Sequence, residues 1–272
     1  MRIINWIPGR GLSVLLAALP FLALITAYAI GSHMRLSVNP ADKVLPSLSQ
    51  MAAVMYEYAL VPDKRTGEYL FWSDTYISLW RLCVGLAVAV AVSLVAGVLT
   101  GFIPWVRSLL SPFVAAFSLI PPITVLPILF IVVGLEELSK ISLIVIGTAP
   151  VMLRAVALAV EEIPNELIVK AQTLGASTWQ MLTRIVLPQI LPKLIIATRF
   201  ALIPAWIFLI SAEAIAATSG LGFRIFLVRR FLAMDVILPY VAWITLIAWL
   251  MDTALVMLQR RAFPWFQPEK SK

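Results

Sequence analysis

Three stretches of this chain, residues 11–30, 82–106 and 108–135, run for membrane-crossing length without a charged residue. A helix rises about 1.5 Å per residue, so about 20 apolar residues cross a hydrocarbon layer of about 30 Å. Such runs exclude an ordinary soluble fold. Composition agrees: 61% of residues are hydrophobic and 13% charged, against roughly 45–50% and 25% in soluble domains. Disorder is excluded on the same ground. Three further stretches carry one charge each: 141–160 holds Arg154, 200–223 holds Glu213 and 236–259 holds Asp252. The expected fold is all-α and polytopic, with about six transmembrane helices. The alternation near residues 85–92 is apolar on both faces, unlike a barrel strand.

One histidine, His33, and one cysteine, Cys83, leave no metal site of the His or multi-cysteine kind. Cys83 reads as a small buried hydrophobe. The first span is too long for a signal-peptide core and no Ala-x-Ala site follows it, so it reads as a retained helix. Placing both termini inside puts twelve Lys and Arg in inner segments and nine in outer ones, a modest bias toward that orientation. Arg224, Arg229 and Arg230 break the rule locally, which predicts a loop folded back on the protein. The outer segment of about 31–75 is too short for a domain and predicts one helix near 46–60.

Three features of the spans keep two readings each. Gly97 and Gly101 suit close helix packing, or fall four apart by chance. Pro121, Pro122 and Pro127 interrupt the third span. They either kink a packed helix or break one that lines a transport pathway, since open backbone at membrane depth survives only beside protein or water. Glu213 lies toward the outer half of its span, where a buried charge either lines a pathway or gate or sits in an ion pair. Asp252 favours a structural pair or an interface contact. Arg154 and Arg199 sit near inner ends, within snorkelling reach, and Trp206 reads as core packing.

The segment of about 161–192 is the one long inner loop, and it is amphipathic. Pro164 suits a first helical turn. Leu167, Ile168, Ala171 and Leu174 follow at helical spacing, Gly175 stops the helix, and Ser177 with Gln180 forms a capping box for another. Leu187-Pro188 is expected to end that second helix. The hairpin either docks in a groove on a soluble partner or rests on lipid.

The run Lys170-Ala171-Gln172-Thr173-Leu174-Gly175-Ala176-Ser177, followed by Ile185, Leu187 and Pro188, resembles the EAA loop of ABC importer permeases. Val169 and Lys170 depart from it, standing where Glu and Ala are usual. Pro121-Pro122 with Leu126-Pro127 and Gly134, Ala212-Glu213 through Gly220-Leu221-Gly222-Phe223, and the ending Gln259-Arg260-Arg261 with Pro264-Trp265 are similar to taurine, sulfonate, nitrate and bicarbonate permeases. The stretches 170–177 and 223–240 look most like the branch found beside urea-carboxylase enzymes.

The resemblance implies a single permease domain over 1–272, with a type I ABC importer permease fold, in the bacterial inner membrane. It implies a homodimer, two ATP-binding cassette subunits gripping residues 170–177, and an extracytoplasmic substrate-binding protein. The cargo it implies is a small polar or anionic nutrient, or a urea-like or guanidine-like nitrogen compound. It implies no catalysis in this chain: ATP and Mg belong to the partner subunit. In keeping with that, the stretch from Gly134 to Ile141 lacks the second glycine and the hydroxyl of a phosphate loop. A stand-alone secondary carrier or scaffold is the rival reading, and an intramembrane enzyme a remote one.

Overall fold

The structure, a computed structural model, describes residues 9–266 apart from Ala41 and Arg65. Of the charges used for orientation, Arg2, Arg65, Lys270 and Lys272 lie outside the described residues, as does the side chain of Arg10. The described elements are helical: α1 (Arg10–Val38), α2 (Leu48–Leu60), α3 (Leu70–Phe102), α4 (Pro104–Phe117), α5 (Pro122–Val133), α6 (Glu137–Glu161), α7 (Asn165–Thr173), α8 (Thr178–Met181), α9 (Leu187–Ala216), α10 (Leu221–Arg229) and α11 (Met234–Ala262). Five helices are long and apolar enough to span a membrane, and six if the bent pair α4–α5 counts as one.

The chain divides into two compact units, Met1–Leu70 with Val228–Val241, and Phe71–Leu227 with Ala242–Lys272. In the first, α1 continues eight residues beyond the expected span. It is tied to the chain ahead of α2: the Tyr28 hydroxyl donates to the Pro46 carbonyl at 2.7 Å and Ser32 Oγ to the Leu45 carbonyl at 3.0 Å. Ser47 and Gln50 cap α2 reciprocally. In the turn between the helices the Val44 N–H and the Arg35 guanidinium both donate to Asp42, which holds its carboxyl below the usual carboxylate range.

In the second unit α3 and α6 run side by side. A Cβ added at Gly85 would lie 2.9 Å from Ile144, one at Gly97 2.8 Å from Val156, and one at Gly101 2.6 Å from Val160. These pairs keep a constant offset of 59 residues, so the helices are parallel and in register. Gly97 and Gly101 are therefore packing residues, which decides between the two sequence readings in favour of close approach. The α9 helix runs antiparallel to α6: Phe208 packs on Gly147 and Lys193 pairs with Glu162 at 2.6 Å. The Arg199 guanidinium grips Asp252 of α11 through two bonds of 2.7 and 2.9 Å, giving Asp252 its expected pair and giving Arg199 a partner in place of snorkelling.

Three expectations need correction, and one choice between readings is decided: the third span is broken rather than kinked, with α4 and α5 meeting at 96°. The break spans residues 118–121, while Pro122 starts α5 and Pro127 sits inside it. The fifth span does not reach Phe223. It stops at Ala216, because Ala217 is extended and Gly220 takes φ +119°. Leu187-Pro188 does not end the hairpin's second helix. A π-helical turn over Leu182–Val186 carries α8 into α9, and its wider hydrogen-bond ring accommodates the N–H that Pro188 lacks. Cys83 is exposed rather than buried, on the outward side of α3, where a small apolar side chain suits lipid.

The α3–α6 contact predicts that Gly85→Ala lowers stability by about 1–3 kcal/mol, because the nearest atoms are all Ile144 side chain and a packed core resists added volume. Thermal unfolding in detergent checks this. Adding Ile144→Ala should leave the pair less destabilised than the sum of the singles.

Candidate functional site: a polar clamp, a broken span and an exposed hairpin

Three sites draw on the charged and helix-breaking residues of the larger unit. At the end away from the hairpin, Asp74, Ser78 and Arg81 recur at i, i+4 and i+7 on α3 and so share one helix face. Arg81 is 1% exposed and Glu213 0%. The Arg81 fork grips Glu137 of α6 with Nε at 2.5 Å and Nη2 at 2.7 Å. Its Nη1 donates to Glu213 of α9 at 2.7 Å and to the Ser219 carbonyl at 2.9 Å. Glu213 also accepts from Ser78 Oγ at 2.8 Å and from the Gly222 N–H at 2.8 Å. The N-terminus of α10 is thus capped by side chains of other helices. The Gly220 N–H donates to Asp74 at 2.9 Å and the Leu221 N–H to Ser78 Oγ at 2.8 Å, satisfying donors that a helix start leaves open. Arg224 returns to Asp74 at 2.7 Å, the folded-back arginine the charge pattern predicts.

The glycines make this closure possible. A Cβ at Gly220 would fall 2.5 Å from the Glu213 carboxylate, and one at Gly222 2.8 Å from the Ile210 carbonyl. Glu213 is thereby an ion-paired residue whose partner is Arg81, not one of Arg224, Arg229 or Arg230 as sequence reasoning considered. Arg81 itself was missed. The signal was present in the 74, 78, 81 spacing, but Arg81 stands at the edge of an apolar run and reads there as an interfacial charge.

The α4–α5 break opens onto a cavity of about 430 Å³ lined by Ser118, Pro122, Gly147, Thr148, Pro204 and Phe208 among others. Pro122 faces it; Pro121, Pro127 and Glu213 do not line it. The predicted pathway residues are therefore not gathered at one place.

At the opposite end, α7 terminates in a paired cap. The Ala176 N–H donates to the Ala171 carbonyl at 3.0 Å and the Gly175 N–H to the Gln172 carbonyl at 2.9 Å, with Gly175 at φ +78°. This is a Schellman motif. Two residues on, Ser177 and Gln180 cap α8 reciprocally. The hairpin is a fixed shape with an uncovered tip: Leu174 is 79% and Trp179 71% exposed. At its base, Ile163, Met181 and Val186 are buried. The stripe predicted on α7 is only half covered, since Ile168 and Ala171 are half-buried while Leu167 and Leu174 are exposed.

Comparison with known proteins bears on the family and the fold. Residues 89–267 match the family described as "Binding-protein-dependent transport system inner membrane component". The chain is 40% identical over 195 residues to the taurine transport system permease protein TauC of Escherichia coli (strain K12), covering 71% of this chain and 70% of that one. It is 28% identical over 195 residues to the putative aliphatic sulfonates transport permease protein SsuC of the same organism, covering 71% and 74%. A solved structure described as inward-facing conformations of the MetNI methionine ABC transporter superposes with a TM-score of 0.63 at 24% identity, covering 73% of this chain and 99% of that one. This last likeness bears on the fold.

Breaking the clamp has a predictable cost. Arg81→Met leaves the Glu213 carboxylate buried without its cation and should destabilise the chain by about 3–5 kcal/mol. Glu213→Gln keeps the shape and should cost less. Unfolding midpoints of the two purified variants in detergent, against wild type, check the order.

Proposed function

Since the chain belongs to the family of binding-protein-dependent transport system inner membrane components, a multi-pass membrane permease subunit of an ABC importer, we propose that two copies pair around a central pathway, driven by two ATP-binding subunits on the inner side. Residues 170–177 form the coupling element that each ATP-binding subunit grips. An extracytoplasmic binding protein delivers the solute at the other face, and both termini lie inside. The observation that carries this reading is the hairpin: capped on both arms, held at its base by buried Ile163, Met181 and Val186, and presenting Leu174 and Trp179 to solvent. A rigid apolar tip of that kind suits a groove on a soluble partner better than a flexible loop would, because little ordering entropy is lost on docking.

In this reading the chain performs no catalysis and ATP chemistry resides on the partner. The pathway runs beside the α4–α5 break, with Pro121 and Pro122 setting the bend and Pro127 inside α5 leaving a carbonyl of the preceding turn without its helical donor. Glu213, with Arg81, holds the outer gate. The cargo is a small oxyanion. What supports that choice is that two relatives are named for taurine and for aliphatic sulfonates, which share a sulfonate head. Urea and guanidine, the neutral and cationic nitrogen compounds, are the competing cargo.

The hairpin reading is tested with Leu174→Asp, a change at an exposed position that leaves the caps intact. Solute uptake by cells carrying the assembled importer should fall about tenfold or more, as for loss of a central interface anchor, and the ATP-binding subunit should no longer co-purify. Unchanged uptake and co-purification would refute it. Sidedness is checked in a Cys83→Ala background: a thiol introduced by Gln172→Cys should react with an impermeant reagent only from the inner face.

A further inference from the structure

The root of the hairpin breaks a rule of helix electrostatics twice in succession. Glu161 is the last residue of α6 and Glu162 its cap, and no basic residue lies in that last turn. Acidic side chains are disfavoured at a helix C-terminus, where the helix dipole is already negative. Each carboxylate is answered by a cation from a different helix. Arg107, in the first turn of α4, pairs with Glu161 at 3.2 Å. Lys193 of α9 pairs with Glu162 at 2.6 Å. A local rule broken at neighbouring positions, with the compensation brought from elsewhere in the fold, is the pattern expected of a functional place.

The two pairs lead to different helices. Lys193 lies on the helix that continues the hairpin's second arm, so Glu162–Lys193 closes the hairpin on itself across 31 residues of chain. Arg107 belongs to α4, the first half of the broken span, and its guanidinium is held from behind. Nη2 donates to the Gly101 carbonyl, and Nε to the Thr100 carbonyl at 3.3 Å. These are acceptors at the end of α3, and Pro104, four residues after Thr100, has no N–H to offer. The planar fork thus has a fixed seat, and little side-chain freedom is lost in holding Glu161.

Close packing would carry a displacement without help, but it is interrupted here. Two cavities of about 330 and 290 Å³ flank the junction of α4 with the end of α6, and Glu161 lines both. The first also touches Arg107, Ile168 of α7 and Val186 of the π-helical turn. The second lies against Ser111 of α4 and Leu158 of α6. The Arg107–Glu161 pair is a polar bridge across this loosely filled junction. We propose that Glu161 is a positioning residue, which passes a displacement of the hairpin root to Arg107 and so to α4 and the broken span, while Glu162–Lys193 keeps the hairpin in step with α9. This rests on the importer reading given above and supplies its link from the hairpin to the α4–α5 break.

The test reads distances rather than uptake, so the identity of the cargo does not enter. The full chain in a Cys83→Ala background, assembled with its ATP-binding subunits in nanodiscs, carries a spin label at Leu109→Cys on α4 or at Glu166→Cys on α7, both exposed positions. The distance between the labels of the two copies is measured by double electron–electron resonance, without nucleotide and after trapping with ATP and vanadate. The parent should shift at both positions. Glu161→Gln should keep the α7 shift and lose most of the α4 shift. Glu161→Asp, which retains a carboxylate, should recover it, and Glu162→Gln should leave it intact. Thermal midpoints should not separate the variants, because part-exposed ion pairs contribute little to stability. A full α4 shift in Glu161→Gln overturns the proposal, and so does a parent whose α4 label stays still while its α7 label moves. Loss of both shifts in Glu161→Gln, an equal α4 loss in Glu162→Gln, no recovery in Glu161→Asp, or a midpoint that falls with the shift would also overturn it. A parent whose α7 label does not move on trapping, or which recruits no ATP-binding subunit, overturns the importer reading itself.

Discussion

One guanidinium holds the larger unit together at the end away from the hairpin. Arg81 reaches from α3 to Glu137 on α6 and to Glu213 on α9, so three helices share one cation. Within an apolar surround such a cluster contributes little net stability, because desolvating the charges offsets their attraction. What it supplies is geometry: the fork meets fixed acceptors on α6, on α9 and at the Ser219 carbonyl, and slipping any helix by a turn leaves a buried charge alone. The rest of that end follows from it. Glu213 is met there by Arg81 and the Gly222 N–H, and α10 starts where it does because Asp74, Ser78 and Glu213 present acceptors to its first amides.

The remainder of the unit is held without charge. The α3–α6 contact is made of glycines against Ile144, Val156 and Val160, the backbone-to-side-chain approach that works in lipid, where burial of apolar surface provides no drive between helices. Dispersion and shape then set the register, and a polar clamp at one end fixes it absolutely. The two devices divide the labour between close fit along the length and direction at the tip.

How much of this was legible in the sequence depended on whether the cause was local. The hairpin was, because Gly175, Ser177 and Gln180 act on their immediate neighbours and their chemistry is fixed by position. The existence of the spans was legible for the same reason. The clamp was not. Its bonds from α3 join residues 56 to 150 apart in the chain, and nothing near Arg81 says that Glu137 and Glu213 will meet it. The Leu187-Pro188 expectation failed because a proline's cost depends on whether the preceding turn can widen, and that is settled by the neighbours that hold α8 and α9 in line. The 96° bend at the third span was readable as a break but not as an angle, since three prolines specify where hydrogen bonds are lost and tertiary packing decides how the freed ends point. Cys83 shows the same limit from the other side: its size is given by the chain, but the face it occupies is given by the fold.

The uninterrupted run from Thr178 to Ala216, 39 residues, spans about 58 Å at the usual helical rise. Its near end is the second arm of the hairpin and its far end carries Glu213. A torque applied at the first is delivered to the second through one continuous run, whose π-helical turn and prolines at 188, 192 and 204 are its compliant sections. The run therefore resembles a drive shaft more than a hinge, and a displacement of the hairpin arm is carried along α9 to the helix end that holds Glu213.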